Sequence, residues 1–178
     1  MNRRIFLGAA LAAATTPVFA RSQRRSLDQP RVLSFHHLHT DERLTLPYRQ
    51  GDHYQRRSLE RLNHFFRDFR TGDITAIDPR LYDTLFDIKQ ALGHDDAVFE
   101  ILSGYRSPKT NAMLRRTSRA VAQRSLHMTG KAIDVRLSDM PTRSIRDAAV
   151  RLGRGGVGYY SRSDFVHLDT GNVRQWGA

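Results

Sequence analysis

The longest apolar stretch in the chain is Ile5–Ala14 (IFLGAALAAA), at the extreme N-terminus. It is too short to span a bilayer easily, and nothing after it is apolar enough to do so. The rest of the chain must therefore build its core from short amphipathic helices and strands. Cysteine is absent, so no disulfide can staple that core, and neither a thiolate metal site nor a cysteine nucleophile is available. Any metal must be held by His, Asp or Glu. With 178 residues, 39% of them hydrophobic, the chain suits one compact domain rather than two and is not disordered throughout.

Met1–Ala20 carries only two charges, Arg3 and Arg4, and ends in Val18-Phe19-Ala20, where a signal peptidase can read small residues. Residues 1–20 read as a secretory signal. The paired arginines followed by Phe6 and Leu7 resemble a twin-arginine export signal, which places the mature protein in the periplasm. Residues 21–31 read as a flexible polar linker, and 32–178 as the folded domain. Removing the signal loses two arginines and no acid, which takes the net charge from +11 to +9. Such basicity often marks nucleic-acid binding, but export takes the protein away from nucleic acid. The anions left are lipid head groups and wall carboxylates. No nucleic-acid partner and no stable membrane insertion after signal removal are expected; oligomeric state is not readable from the sequence.

The pattern of the mature chain is α+β. Val32–His39 and Arg43–Tyr48 read as a hairpin. Leu59, Leu62, Phe66 and Phe69 form one stripe of a helix over Tyr54–Arg70. Asp78-Pro79 opens a second helix, which Gly93 closes, and Val98–Leu102 is a buried strand. Ser107-Pro108 opens a third helix, to about Arg119. Ala132–Leu137 is a strand, Thr142–Leu152 a helix ended by Gly153, and Val157–Tyr160 and Phe165–Asp169 two closing strands. The expected product is a small, mostly antiparallel sheet packed against helices.

Two of these strands concentrate chemistry. In Ala132–Leu137, Ile133, Val135 and Leu137 share one face, so Asp134 projects from the other. In Phe165–Asp169 the same alternation puts His167 opposite Val166 and Leu168. If the strands are neighbours, Asp134 and His167 meet across the ladder at about 5 Å between β-carbons. The turn at Gly130 brings His127 to the same place. Two imidazoles and one carboxylate make a three-ligand zinc set with one position left for solvent, the pattern of catalytic zinc. One Zn2+ per chain in such a site would make water a nucleophile for an amide carbonyl at neutral pH. Asp169, on the same face as His167, can orient a ligand. His36, His37 and His39 read as hairpin residues, His64 as helix surface or core edge, and His53 and His94 as loop residues. Gly155-Gly156-Val157-Gly158 lacks a following helix and a Lys-Ser/Thr pair, so it is a turn into a strand and not a phosphate loop.

Ser125-x-His127-x-x-Gly130-x-Ala132-x-Asp134, followed by His167 in a short strand, resembles the LAS metallopeptidases, which include lysostaphin-type and D-Ala-D-Ala peptidases. Leu62–Asp68, Ser103–Ser107, Gly155–Tyr160, and Phe165–Gly171 with Trp176 resemble, in order, the murein endopeptidase K family of that group. The resemblance covers nearly the whole mature chain. It implies a LAS or hedgehog-like fold and a periplasmic zinc endopeptidase acting on peptidoglycan crosslinks, including those joining two diaminopimelate residues. It makes His127, Asp134 and His167 the zinc ligands. D-Ala-D-Ala-type relatives carry their general base three residues before the last ligand, which is Asp164 here; Asp169 is the other candidate. The His base of lysostaphin-type relatives is excluded by Phe165. Arg106 is implied to face the site and hold a substrate carbonyl or carboxylate, with Ser125 and Tyr159 as further substrate contacts. A D,D-carboxypeptidase or amidase of the wall, or a wall-binding module that keeps zinc without turnover, remain alternatives.

Overall fold

A computed structural model of the chain describes residues 29–118 and 121–177. The signal at 1–20 and most of the 21–31 linker lie outside the described residues, but Pro30 and Arg31 belong to the first strand rather than to a linker. Strands β1 (Pro30–His37) and β2 (Arg43–Gln50) form the expected hairpin, and the two-residue β3 (His53–Tyr54) extends it. Helices α1 (Arg56–Phe65) and α2 (Arg80–Ala91) follow, then β4 (Val98–Ser103) and α3 (Pro108–Thr117). A 3₁₀ turn at Leu126–Thr129 leads into β5 (Ala132–Leu137) and α4 (Thr142–Leu152). The chain closes with β6 (Gly156–Tyr160), β7 (Phe165–Asp169) and β8 (Arg174–Gly177).

All eight strands join one mixed sheet in the order β3-β2-β1-β4-β5-β7-β6-β8. The α+β class holds, but the sheet is larger and more mixed than the small, mostly antiparallel one expected. The physical reason lies at its two ends. The N-terminal hairpin docks into the same sheet, with β1 parallel to β4, and the C-terminal residues add β8 parallel to β6.

One face of the sheet and helices α1, α2 and α4 enclose the core. Leu33, Phe35, Phe99, Ile101, Ile133, Val135 and Val166 are at most 1% exposed there, and burial of each such side chain stabilises the fold by about 1.5–3 kcal/mol. Helix α2 starts one residue later than expected, with Pro79 rather than Asp78 at the cap position; the Asp78 carboxylate still accepts the Arg80 N–H at 3.1 Å, satisfying one orphan donor of the first turn. Helix α1 is shorter than its apolar stripe. Past Phe65 the buried Asp68 carboxylate accepts the N–H groups of Arg70 (3.0 Å) and Ser107 (2.8 Å), which turns the chain away from helical geometry. Phe69 then stacks on His39 at 4.1 Å instead of continuing the helix face. A second polar hub binds the hairpin to α2: Asp83 accepts from Tyr48 (2.9 Å), Tyr54 (2.5 Å), Arg31 (3.3 Å) and Arg49 (3.0 Å). Among the described residues no helix is long and apolar enough to cross a membrane.

Candidate metal centre

Strands β5 and β7 pair antiparallel with Asp134 directly opposite His167. Their apolar residues point into the core, so these two project from the other face. His127 reaches the same point from the 3₁₀ turn, which Gly130 closes in the left-handed region at φ 66°. A β-carbon at Gly130 would stand 2.1 Å from the Ala76 carbonyl oxygen, so no other residue fits there without moving backbone.

Asp134 Oδ1 lies 2.9 Å from His167 Nδ1 and 3.3 Å from His127 Nε2, and the two ring nitrogens are 3.2 Å apart. A tetrahedral ion with bonds of about 2.0–2.2 Å has ligand–ligand edges of about 3.3–3.6 Å. The three atoms therefore sit within a few tenths of an ångström of the required spacing. The far side of each group determines which atom faces the centre. His127 Nδ1 lies 2.7 Å from the Gly104 carbonyl, which only accepts; the ring proton belongs there and Nε2 keeps its lone pair. His167 Nε2 lies 3.1 Å from Asp169 Oδ2, so Nδ1 is the free donor atom. Arg106 donates to Asp134 Oδ2 at 3.0 Å, leaving Oδ1. Three lone-pair donors thus face one point, an arrangement that repels itself unless positive charge stands between them. The donor set fits a borderline divalent ion such as zinc.

Electrostatics tell the same story. Burial alone would raise the Asp134 carboxyl, but the rings of His127 and His167 hold it far below the usual carboxylate range. Burial pushes the His127 ring down despite Asp134. Burial also opposes charge on His167, yet hydrogen bonds to Asp134 and Asp169 raise it to about 9. A divalent ion bound there would compete with a proton for His167.

The remaining expected residues fall into two groups. Arg106 lies beside the centre, braced by Ser103 Oγ at 3.3 Å, and Ser125 lines the same cleft. Asp169 is fully buried, where burial raises its carboxyl and five donors hold it well below the usual range. They are His167, two groups of Arg174 (3.0 and 2.6 Å), and the N–H groups of Gly156 (3.1 Å) and Gly171 (2.9 Å). These five contacts engage both of its oxygens. Asp164 is not brought to the centre. It sits in the turn before β7 at φ 50°, and accepts from Thr142 Oγ1 at 2.9 Å in a separate hollow shared with Glu100, Arg136 and Asp139. Tyr159 is not at the cleft either. It pairs with Val166, packs against the core and carries Arg146 on its ring.

Residues 25–176 match a family model described as Peptidoglycan L,D-endopeptidase MepK. The chain belongs to this peptidase family. It is 44% identical over 180 residues to the peptidoglycan L,D-endopeptidase MepK of Escherichia coli K12, covering 98% of this chain and 97% of that one. A probable peptidoglycan L,D-endopeptidase MepK of Haemophilus influenzae is 42% identical over 151 residues, covering 85% of this chain and 81% of that protein.

In this family member the centre forms the floor of a cleft of about 480 Å³, and much of its wall was not singled out from sequence. Tyr160, not Tyr159, faces it, stacked on Phe165 at 4.5 Å. The signal was present: in β6 Gly156, Gly158 and Tyr160 share the face opposite Val157 and Tyr159, and Gly158 stands opposite His167. Trp176 donates to the Tyr160 hydroxyl at 3.0 Å and lies 5.2 Å from the His167 ring. Arg124 and Arg174 complete the polar rim.

Proposed function

We propose that the protein is an exported, zinc-dependent murein endopeptidase with a LAS-type fold, hydrolysing peptide crosslinks of peptidoglycan, with the bond between two diaminopimelate residues as its target. The single observation that carries this reading is the convergence of His127 Nε2, Asp134 Oδ1 and His167 Nδ1 on one point at the floor of an open cleft. Zinc bound there would supply a Lewis acid and an acidified water.

The protein's own residues set up that chemistry. Gly104 and Asp169 lock the two imidazoles in the tautomers that present lone pairs. Arg106 holds Asp134 and lies at the cleft wall, where positive charge steadies the oxygen of a substrate carbonyl as it becomes negative. Ser125 offers a hydroxyl to the peptide, and Tyr160, Phe165 and Trp176 form an aromatic side for it to lie against. The relatives named above are themselves named for peptidoglycan endopeptidase activity. The paired arginines of the first twenty residues support delivery to the periplasm by the twin-arginine route, and a mature charge of +9 suits weak, salt-dependent attraction to a carboxylate-rich wall.

The test uses purified murein and the zinc-loaded protein. Mass spectrometry should find muropeptides cut at the crosslink, chelation should stop their release, and added zinc should restore it. His127→Ala should neither hold zinc nor cut. Intact crosslinks after incubation with protein shown to contain about one zinc per chain overturn the reading, and release of free D-alanine alone would make the protein a carboxypeptidase instead.

A further inference from the structure

Among the described residues three arginines line the cleft, and they are not equivalent. Arg106 is committed to Asp134 at 3.0 Å, and Arg174 to Asp169 at 3.0 and 2.6 Å. Arg124, three residues before His127, is exposed and lines the same cleft, yet has no ion pair or hydrogen bond with any described residue. Asp134 is the only carboxylate among the lining residues, and Arg106 and the centre already claim it. A guanidinium presents donors in a planar fork whose natural partner is a carboxylate held by two parallel bonds. The described residues supply no such partner, which leaves the fork for the ligand.

Resting on the proposed activity, we infer that Arg124 is a specificity residue that binds a free carboxylate of the stem peptide next to the scissile bond. The chemistry of the target supplies one. In a crosslink between two diaminopimelates, the carbon that carries the leaving nitrogen also carries a free carboxylate. A peptide whose carboxylate there is amidated loses the charge and one of the two acceptors.

The experiment compares two crosslinked muropeptides, identical except that this carboxylate is free or amidated. It uses the wild type, Arg124→Gln and Arg124→Lys, all loaded with zinc. The wild type should prefer the free acid by about tenfold in kcat/KM, the size expected of a charge-assisted bond at an exposed site. In R124Q that preference should collapse to near unity, and R124K should recover part of it. Melting temperature and zinc content should match the wild type, because Arg124 has no partner among the described residues to lose. A parallel measurement of peptide affinity for the same proteins keeps the question separate from turnover. If the wild type cleaves neither peptide, the proposed activity falls, and affinity alone decides Arg124. A preference for the free acid that survives in R124Q, or that the wild type lacks in both measurements, overturns the inference.

Discussion

Replacing Asp169 by Asn should weaken zinc binding at the proposed site while leaving the fold nearly unchanged. Asp169 Oδ1 receives the N–H of Gly156 (3.1 Å), the N–H of Gly171 (2.9 Å) and Arg174 Nη1 (3.0 Å). Three donors require oxygen at that position, so the amide nitrogen of an asparagine must take the place of Oδ2. There it meets Arg174 Nη2 (2.6 Å) and His167 Nε2 (3.1 Å), donor against donor. His167 can relieve its clash by moving its proton to Nδ1, which is the atom that faces Asp134 and His127. That proton then occupies the ligand position. Loss of an outer-shell partner of this kind typically costs about 10–100-fold in metal affinity, which corresponds to about 1.4–2.7 kcal/mol. Chelator competition at pH 7.5 measures the zinc dissociation constant, and metal-free melting temperature monitors the fold. Arg174→Gln, which leaves the Asp169–His167 bond in place, should weaken zinc less and guards against a misfolded Asn variant. Zinc bound within twofold of wild type by a properly folded Asp169→Asn protein would refute the tautomer argument.

Three further outcomes follow from the structure. His37 is 1% exposed; burial and the neighbouring His39 and Arg67, opposed by Glu42, lower its pKa from 6.5 to about 4. The unfolded chain takes up that proton below about pH 6.5, so the contribution is complete above that pH and is lost as pH falls towards about 4, by about 3 kcal/mol in all. The stability difference between wild type and His37→Leu should therefore shrink by about 2 kcal/mol between pH 7 and pH 5 in urea titrations, and a constant difference would contradict the assignment. Gly130→Ala should destabilise by about 1–3 kcal/mol and lower zinc affinity together, since a β-carbon 2.1 Å from the Ala76 oxygen must shift the turn that carries His127; calorimetry with and without zinc separates the two effects. Asp83→Ala strands Tyr48, Tyr54, Arg31 and Arg49 without their common acceptor and should cost about 3–5 kcal/mol of folding stability, while zinc affinity in the folded fraction stays as in wild type.

The parts of this molecule that sequence patterning made legible are those where an apolar face has only one place to go. Ile133, Val135 and Leu137 must enter the core, so Asp134 must point the other way, and the same holds for His167 between Val166 and Leu168. Strand register then brings the two together with no further information. Where a residue lies outside such a strand, spacing from a landmark fails. Asp164 has the right count from His167, but the turn holds it at φ 50° and Thr142 and Arg136 draw its carboxylate to a different hollow. Tyr159 and Tyr160 are chemically alike, and only the period of β6 separates the core residue from the cleft residue.

What remained hidden is what side chains do not encode. Strand β8 (RQWG) is polar and mostly exposed, so nothing in its composition predicts that it joins the sheet. Yet it lays Trp176 across Gly158, where a β-carbon would stand 2.6 Å from the indole ring, and brings that ring to His167. It also supplies Arg174 to Asp169. Gly156 and Gly158 are thus clearances for the C-terminal strand, and Gly155 for the backbone at Asp169, rather than a phosphate cradle. The tautomers of both histidines depend in turn on a backbone carbonyl at Gly104 and, through Asp169, on backbone N–H groups at Gly156 and Gly171. The proposed metal centre of three side chains therefore rests on a further layer made of main chain, and changes in β8 that leave all three side chains in place should still alter zinc affinity.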